Sequence, residues 1–260
     1  DEFASKIAEE AMWLIDHQMN LAVSETFGTY ISRLPLRKSA TVIQGNALRI
    51  DWQEIVNKSK ISYIVGNPPF YGKSNQTREQ KEDMSIVFSG VKSSGILDYV
   101  TAWYIKAANF IRGTQIRVGF VSTNSIAQGE QTGILWNELS NNYGIKIHFA
   151  HRTFKWSNEA RGKAAVHVVI IGFANFDVRK KIIWNYDDVK GEPLEINVKN
   201  INPYLVEGKD LVVLKRRKSI SNVSDISFGS MPNDGGNFLL TEEEKNELID
   251  LDSKYYETEK

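Results

Sequence analysis

Two strand-like apolar runs, Ile61–Gly66 ("ISYIVG") and Ile116–Ser122 ("IRVGFVS"), flank a helix-period segment, and that order constrains the chain more than any other feature. The intervening "LDYVTAWYIKAANFI" places Leu97, Val100, Tyr104, Ala107, Ala108 and Ile111 on one helical face. Strand, amphipathic helix, then a strand apolar along its length is the pattern of a parallel sheet buried on both faces. Upstream, "EFASKIAEEAMWLIDHQM" sets Phe3, Ile7, Ala11, Leu14 and Ile15 on one stripe, and "TVIQGNAL" reads as a short strand ending at Gly45. Downstream, the helix-like "GILWNELSNNYG" precedes two further strands, "IKIHFAHRTF" and "AAVHVVIIGF", joined by the polar "KWSNEARGK". The expected fold is α/β with a doubly wound sheet over residues 1–175. A less regular region is expected over 176–260, where Pro193, Pro203 and "GSMPNDGGN" interrupt the periodicity.

In open α/β sheets the ligand site lies beyond the carboxyl ends of the strands, which selects Gly45-Asn46, Gly66–Phe70 and Ser122–Asn124. Among these, Asn67-Pro68-Pro69-Phe70 carries distinctive chemistry. Two prolines fix φ and remove N–H groups, so the turn is stiff and rich in acceptors. The Asn67 side-chain oxygen and the Pro68 carbonyl can together accept both hydrogens of one exocyclic amino group. Drawing an aryl amine toward tetrahedral geometry exposes its lone pair to an electrophile held opposite. Phe70 supplies a ring to stack on the base. A strand-terminating turn with a buried Phe is the purely structural alternative.

Composition narrows the partners. The 260 residues contain no Cys and four scattered His, which excludes a thiolate metal site and gives no spacing for a bound metal. A reducing, cytoplasmic setting is expected. No stretch approaches the roughly 20 apolar residues of a membrane span. Thirty-two basic and thirty-two acidic residues cancel, so nucleic-acid contact must come from a local basic face. One such face is the segment His151–Lys163, where Arg152, Lys155, Arg161 and Lys163 oppose only Glu159. A second run is Lys215-Arg216-Arg217-Lys218, for which a solvated surface is the ordinary reading.

The motif Asn67–Phe70, the text "GNPPFYGKSNQTREQKEDMSIVF" with "LDYVTAWYIKAA", and "GSMPNDGG" together resemble the MmeI-like restriction-modification enzymes, with a gamma-type adenine-N6 DNA methyltransferase part. The resemblance covers most of the chain and implies that residues 176–260 are an irregular extension leading toward a target-recognition domain. It implies a Rossmann-like methyltransferase sheet, S-adenosyl-L-methionine as cofactor, and double-stranded DNA as partner, with the target adenine flipped out of the duplex. It also implies that Asn67, Pro68, Pro69 and Phe70 form the catalytic motif and that Gly45 and Asn46 meet the cofactor adenine. These enzymes usually carry Asp where Asn46 stands, and an amide can still bond a purine edge; a plain strand-to-helix turn is the equal alternative for Gly45-Asn46. The resemblance further assigns Phe154, with Trp156 as runner-up, to the opposite face of the flipped base; closing the core at a strand end is the alternative for Phe154. Asp51 reads as a helix start and Asp98 as an N-terminal cap.

The glycine-rich turn and acidic residue that normally meet the rest of the cofactor are not found, so the first strands of the sheet are expected upstream of Asp1. The 260 residues alone are accordingly expected to be inactive. Two other functions fit the same motif: methylation of another planar amine, in RNA or a protein glutamine, and a DNA-binding module that keeps the motif as architecture.

Overall fold

A computed structural model describes residues 2–29, 40–156, 166–216, 221, 223 and 239–258. Helix α1 (Glu2–Phe27) forms where the apolar stripe requires it, yet Phe3, Ile7, Leu14 and Ile15 all stay exposed and no residue of the helix is buried. Periodicity specifies a helix, whereas burial requires an opposing surface. The strand expected to end at Gly45 is not formed, and residues 40–46 run as a loop. A strand exists through its neighbour's backbone hydrogen bonds, and no described strand lies alongside this segment. The chain instead turns at Asn46, whose carbonyl accepts from Arg49 and Ile50 N–H at 2.9 and 3.0 Å. Asp51 then caps the short α2 (Trp52–Ile55) by accepting from Gln53 N–H, the role its position implied.

The two defining runs become β1 (Tyr63–Gly66) and β2 (Arg117–Thr123), paired in parallel with Gly66 opposite Phe120. Between them lie α3 (Arg78–Val87), opened by a Thr77/Gln80 capping box, and α4 (Thr101–Phe110). Helix α5 (Gly129–Tyr143) follows β2 and ends at Gly144, whose φ of 64° is the left-handed conformation that glycine adopts without penalty. The chain then forms β3 (Lys146–Trp156), β4 (Val166–Ala174), β5 (Lys181–Asn185) and β6 (Leu194–Val198). The sheet order is β1-β2-β4-β3-β5-β6.

The α/β class is as expected, but the sheet is mixed. Strand β4 returns antiparallel between β2 and β3, and β6 is antiparallel to β5. A hairpin reverses the chain, so its second strand cannot continue a parallel array. Strand β1 is the edge of the described sheet, with Tyr63 64% and Val65 80% exposed.

The core fills one face. Tyr104 of α4 stacks on Phe173 of β4 with centroids 5.2 Å apart and meets Phe120 of β2 edge-on at 5.3 Å, while Trp136 of α5 closes the cluster at 6.2 Å. The buried Tyr104 hydroxyl is satisfied by Ser122 Oγ at 2.7 Å. On the opposite face Phe149 lies across Gly172, where any Cβ would collide with its ring. There an open cleft of about 520 Å3 is lined by Tyr63, Val65, Phe149 and Trp184, among others.

This sheet belongs to a compact unit, residues 1–215, which includes β5 and β6 beyond the 175/176 boundary expected from the sequence. Residues 216–260 form a second unit, whose described helix α6 (Glu242–Thr258) is capped reciprocally by Thr241 and Glu244. No helix among the described residues is long and apolar enough to cross a membrane.

Candidate functional site

Strands β1, β2, β3 and β5 run in one direction, because β1 is parallel to β2, β3 to β5, and β4 is antiparallel to both β2 and β3. Their carboxyl ends therefore bring Asn67, Thr123–Ser125, Phe154–Trp156 and Asn185 to one edge of the sheet. Sequence separation hides this convergence; topology creates it.

At the β1 end the backbone is forced close to the core. A Cβ on Gly66 would sit 3.1 Å from the Phe120 ring, so glycine lets the strand end lie flat against β2. Pro68 is buried behind it and Phe70 packs against the core. Asn67 and Pro69 face solvent. Among the described residues neither the Asn67 side-chain amide nor the Pro68 carbonyl is spent on a hydrogen bond. The exposed Asn67 amide thus stays available at a rigid turn. Asn67, Pro68 and Pro69 border an open cleft of about 580 Å3 whose other walls include Trp52, Ile55, Trp103 and Phe110.

Asn46 is placed differently. Its Nδ2 donates to Asp83 at 2.8 Å and its Oδ1 accepts from Leu48 N–H at 3.0 Å, so both ends of the amide are engaged. Asp83, on α3 and 2% exposed, also accepts from Arg49 Nε at 2.6 Å and from the Tyr99 hydroxyl at 2.7 Å. Burial alone would raise the Asp83 carboxyl, but the hydrogen bonds from Tyr99, Arg49 and Asn46 outweigh it and hold the group below the usual carboxylate range. The Tyr99 hydroxyl is pushed up, first by its own burial and then by Asp83. The loop is held from a second side by Lys106, which donates to the Leu48 and Ile50 carbonyls at 2.7 and 2.6 Å. Gly45 is exposed just before this loop. Sequence reasoning missed Asp83, because the contacts joining it to residues 46 and 99 have no local signature.

Asp98 also departs from expectation. The residue preceding α4 is Val100, with no side-chain cap, and the Asp98 carboxylate points instead to Lys73, Thr123 and Ser125.

At the β3 end, Phe154 stacks on Tyr186 with centroids 5.1 Å apart and lies 6.1 Å from Trp156. His151 stacks on Trp184 at 4.4 Å, and its Nδ1 lies 2.8 Å from the Tyr186 hydroxyl. His151 and Trp184 are register partners on neighbouring strands, so the stack is a cross-strand pair. Burial lowers the His151 pKa from its ordinary value. Phe154 is half-buried, and Trp156, 38% exposed, is the more open ring. Arg152 donates to Asn185 Oδ1 at 2.8 Å, and the Lys155 backbone N–H bonds Val189. Arg161 and Lys163 lie outside the described residues, as does "GSMPNDGG". Of the second basic run, Lys215 pairs with Glu130 at 2.7 Å, while Arg217 and Lys218 also lie outside the described residues.

Comparison with known proteins matches this architecture to one family. The family described as MmeI, DNA-methyltransferase domain, matches residues 1–185, and that described as MmeI, target recognition domain, matches residues 207–258. A DNA methyltransferase A from Bacillus subtilis (strain 168) is 40% identical over 252 residues, 96% of this chain and 28% of that protein. The structure of the Type IIL restriction-modification enzyme MmeI in complex with DNA superposes with a TM-score of 0.84 at 52% identity, over 96% of this chain and 33% of the other. The chain thus spans about a third or less of the length of these relatives. With the methyltransferase match alone taking in well over half of its residues, the chain belongs to the MmeI DNA-methyltransferase family.

Proposed function

We propose that this chain carries the amine-binding side of a site that methylates N6 of an adenine flipped out of double-stranded DNA, within a restriction-modification enzyme. The observation that carries this reading is the unspent acceptor pair, Asn67 Oδ1 and the Pro68 carbonyl, on a proline-stiffened turn at the carboxyl edge. Each takes one hydrogen of the adenine amino group, which fixes the nitrogen and favours the tetrahedral geometry needed for attack. Phe70 stacks on the base, and Phe154 or the more open Trp156 offers a ring from the β3 side. Extrusion of the base costs a few kcal/mol, which stacking partly offsets. Arg152, Lys155, Arg161 and Lys163 are the basic residues assigned to DNA phosphates, so binding weakens as salt rises. The MmeI complex with DNA and the target-recognition match both support a DNA partner.

S-adenosyl-L-methionine would supply the electrophilic methyl group when bound. The cleft beside Asn67–Pro69 suits its adenine end: the volume is in the small-ligand range, and the Trp52, Trp103 and Phe110 walls match a flat base. Because the Asn46 amide is engaged by Asp83 and Leu48, Gly45 and Asn46 act through their loop, which is tied to the Trp52 wall of the cleft by the indole N–H donated to the Ala47 carbonyl.

The test is Asn67→Ala in the full-length protein, assayed by labelled-methyl transfer to mixed-sequence DNA and by titration with S-adenosylmethionine. Removing one acceptor should lower transfer at least 100-fold and leave cofactor affinity within about 3-fold. Near-normal transfer would sink this reading.

A further inference from the structure

The segment Leu97–Tyr99 lies between the loop that follows the motif and the turn that follows β2, and several of its polar groups join the two. Toward the motif side, the Leu97 carbonyl accepts from Gln76 Nε2 at 2.9 Å, Asp98 Oδ1 accepts from Lys73 N–H at 3.3 Å, and Tyr99 N–H donates to the Tyr71 carbonyl at 2.9 Å. Toward β2, Asp98 Oδ2 accepts from Ser125 Oγ and, at 3.4 Å, from Thr123 Oγ1. Its backbone N–H donates to Gln131 Oε1 on α5 at 2.8 Å. Thr123 and Ser125 hydroxyls are 2.8 Å apart, so the three side chains form a closed cluster.

We infer that Asp98 is a positioning residue: its carboxylate clamps the loop 71–76 to the turn 123–125, and so fixes the Asn67–Phe70 turn from which that loop departs. This rests on the proposed reading of Asn67–Phe70 as the amine-binding site. Asp98 is 8% exposed, and the donors at its carboxylate are a backbone N–H and two hydroxyls, all neutral. A buried carboxylate without a cation among those donors is costly unless its hydrogen bonds are secured, which ties the loop to the turn. The Tyr99 hydroxyl extends the brace to Asp83 and through it to Asn46 and Arg49. One dipeptide therefore bonds the motif loop directly and reaches the loop at residues 46–49 through Asp83. Placement of reacting groups to within about 1 Å is worth about 100-fold in rate, and this is the quantity the clamp controls.

The experiment compares Asp98→Ala with Asp98→Asn in the full-length protein, with kcat and the KM for S-adenosylmethionine measured on mixed-sequence DNA. Amide exchange at Lys73 is followed alongside. Asn at this position keeps one acceptor for Lys73, and its Nδ2 can donate to the Ser125 and Thr123 hydroxyl oxygens, so it preserves the clamp without the charge. Asp98→Ala should lower kcat about 100-fold with KM within about 3-fold and speed exchange at Lys73, whereas Asp98→Asn should stay within about 5-fold of wild type. If Asp98→Ala does not fold, Ser125→Ala removes one donor, and a loss of about 10-fold in kcat is expected. Unchanged kcat in Asp98→Ala or Ser125→Ala, beside an inactive Asn67→Ala, would overturn the clamp while leaving the site reading intact. An Asp98→Asn variant as impaired as Asp98→Ala would also overturn it, because charge would then matter and not placement. Normal transfer by Asn67→Ala would overturn the site reading itself, and exchange at Lys73 would still report the loop contact.

Discussion

The two ends of the carboxyl edge are built by different forces. The loops at residues 46–49 and 71–76 are held by buried carboxylates, Asp83 and Asp98, each taking several directed hydrogen bonds. Around Phe154 lie stacked rings, Tyr186, His151 and Trp184, with Trp156 half in solvent. Hydrogen bonds to a buried charge hold atoms in one arrangement, because any other leaves a group unsatisfied. Stacked rings contribute mainly through area and tolerate sliding. On the proposed reading that contrast has a purpose. The amine must be held to a fraction of an ångström, whereas the ring on the other side must accept a base arriving from a duplex.

The largest effect is expected at Asp83. Asp83→Ala should destabilise the 1–215 unit by about 3 kcal/mol, since it strands the Tyr99 hydroxyl and the Asn46 amide. The measurement is urea unfolding at constant m-value. A loss under about 1 kcal/mol would show that the half-exposed Arg49 and solvent carry the network, and the two ends would then be alike. The pH dependence points the same way. A carboxyl whose folded pKa is depressed stabilises the fold above its ordinary value near 4, and that contribution is lost as pH falls through the lower, folded value.

The aromatic end should respond less. Tyr186→Ala removes the ring stacked on Phe154 and the partner of His151 Nδ1, for an expected loss of about 1.5 kcal/mol. Tyr186→Phe keeps the stack and should cost about 0.5 kcal/mol. If Tyr186→Ala cost more than Asp83→Ala, stacking and not hydrogen bonding would be the dominant anchor of this edge.

What could be read from the sequence divides along the same line. Helices α1, α4 and α5 and strands β1 to β4 were legible because each carries its own periodicity. The tetrapeptide Asn67–Phe70 stands out in the sequence because the chemistry proposed for it is local. The strand at "TVIQGNAL" was misread because strand formation depends on a neighbour that the segment itself does not specify. Strands β5 and β6 were missed because Pro193 and short polar stretches masked five-residue strands that the sheet edge stabilises. Asp98 was read as a helix cap because it stands just before a helical pattern. Its actual partners, Lys73 and Ser125, are 25 and 27 residues away. The pairing of His151 with Trp184 follows from the β3–β5 register, which local sequence does not encode.

The smallest effect expected is a titration at the aromatic end. Burial holds the His151 pKa below its ordinary value near 6.5, so the unfolded chain takes up its proton first as pH falls. Stability from this group is therefore complete above about pH 6.5 and declines below it, until the folded imidazole also protonates. Protonation of the folded imidazole comes only at the lower end of that window and places a charge between the Trp184 ring and the Tyr186 hydroxyl. His148, lowered chiefly by its own burial, contributes in that range as well. The informative quantity is accordingly the difference between wild type and His151→Phe, which keeps a ring on Trp184 and removes the titration. Thermal unfolding midpoints from pH 8 to pH 5 should fall by a few degrees more in wild type than in the variant. Parallel curves would mean that His151 stays neutral or finds compensation on protonation, and the aromatic end would then be as firmly fixed against pH as a stack of carbocyclic rings.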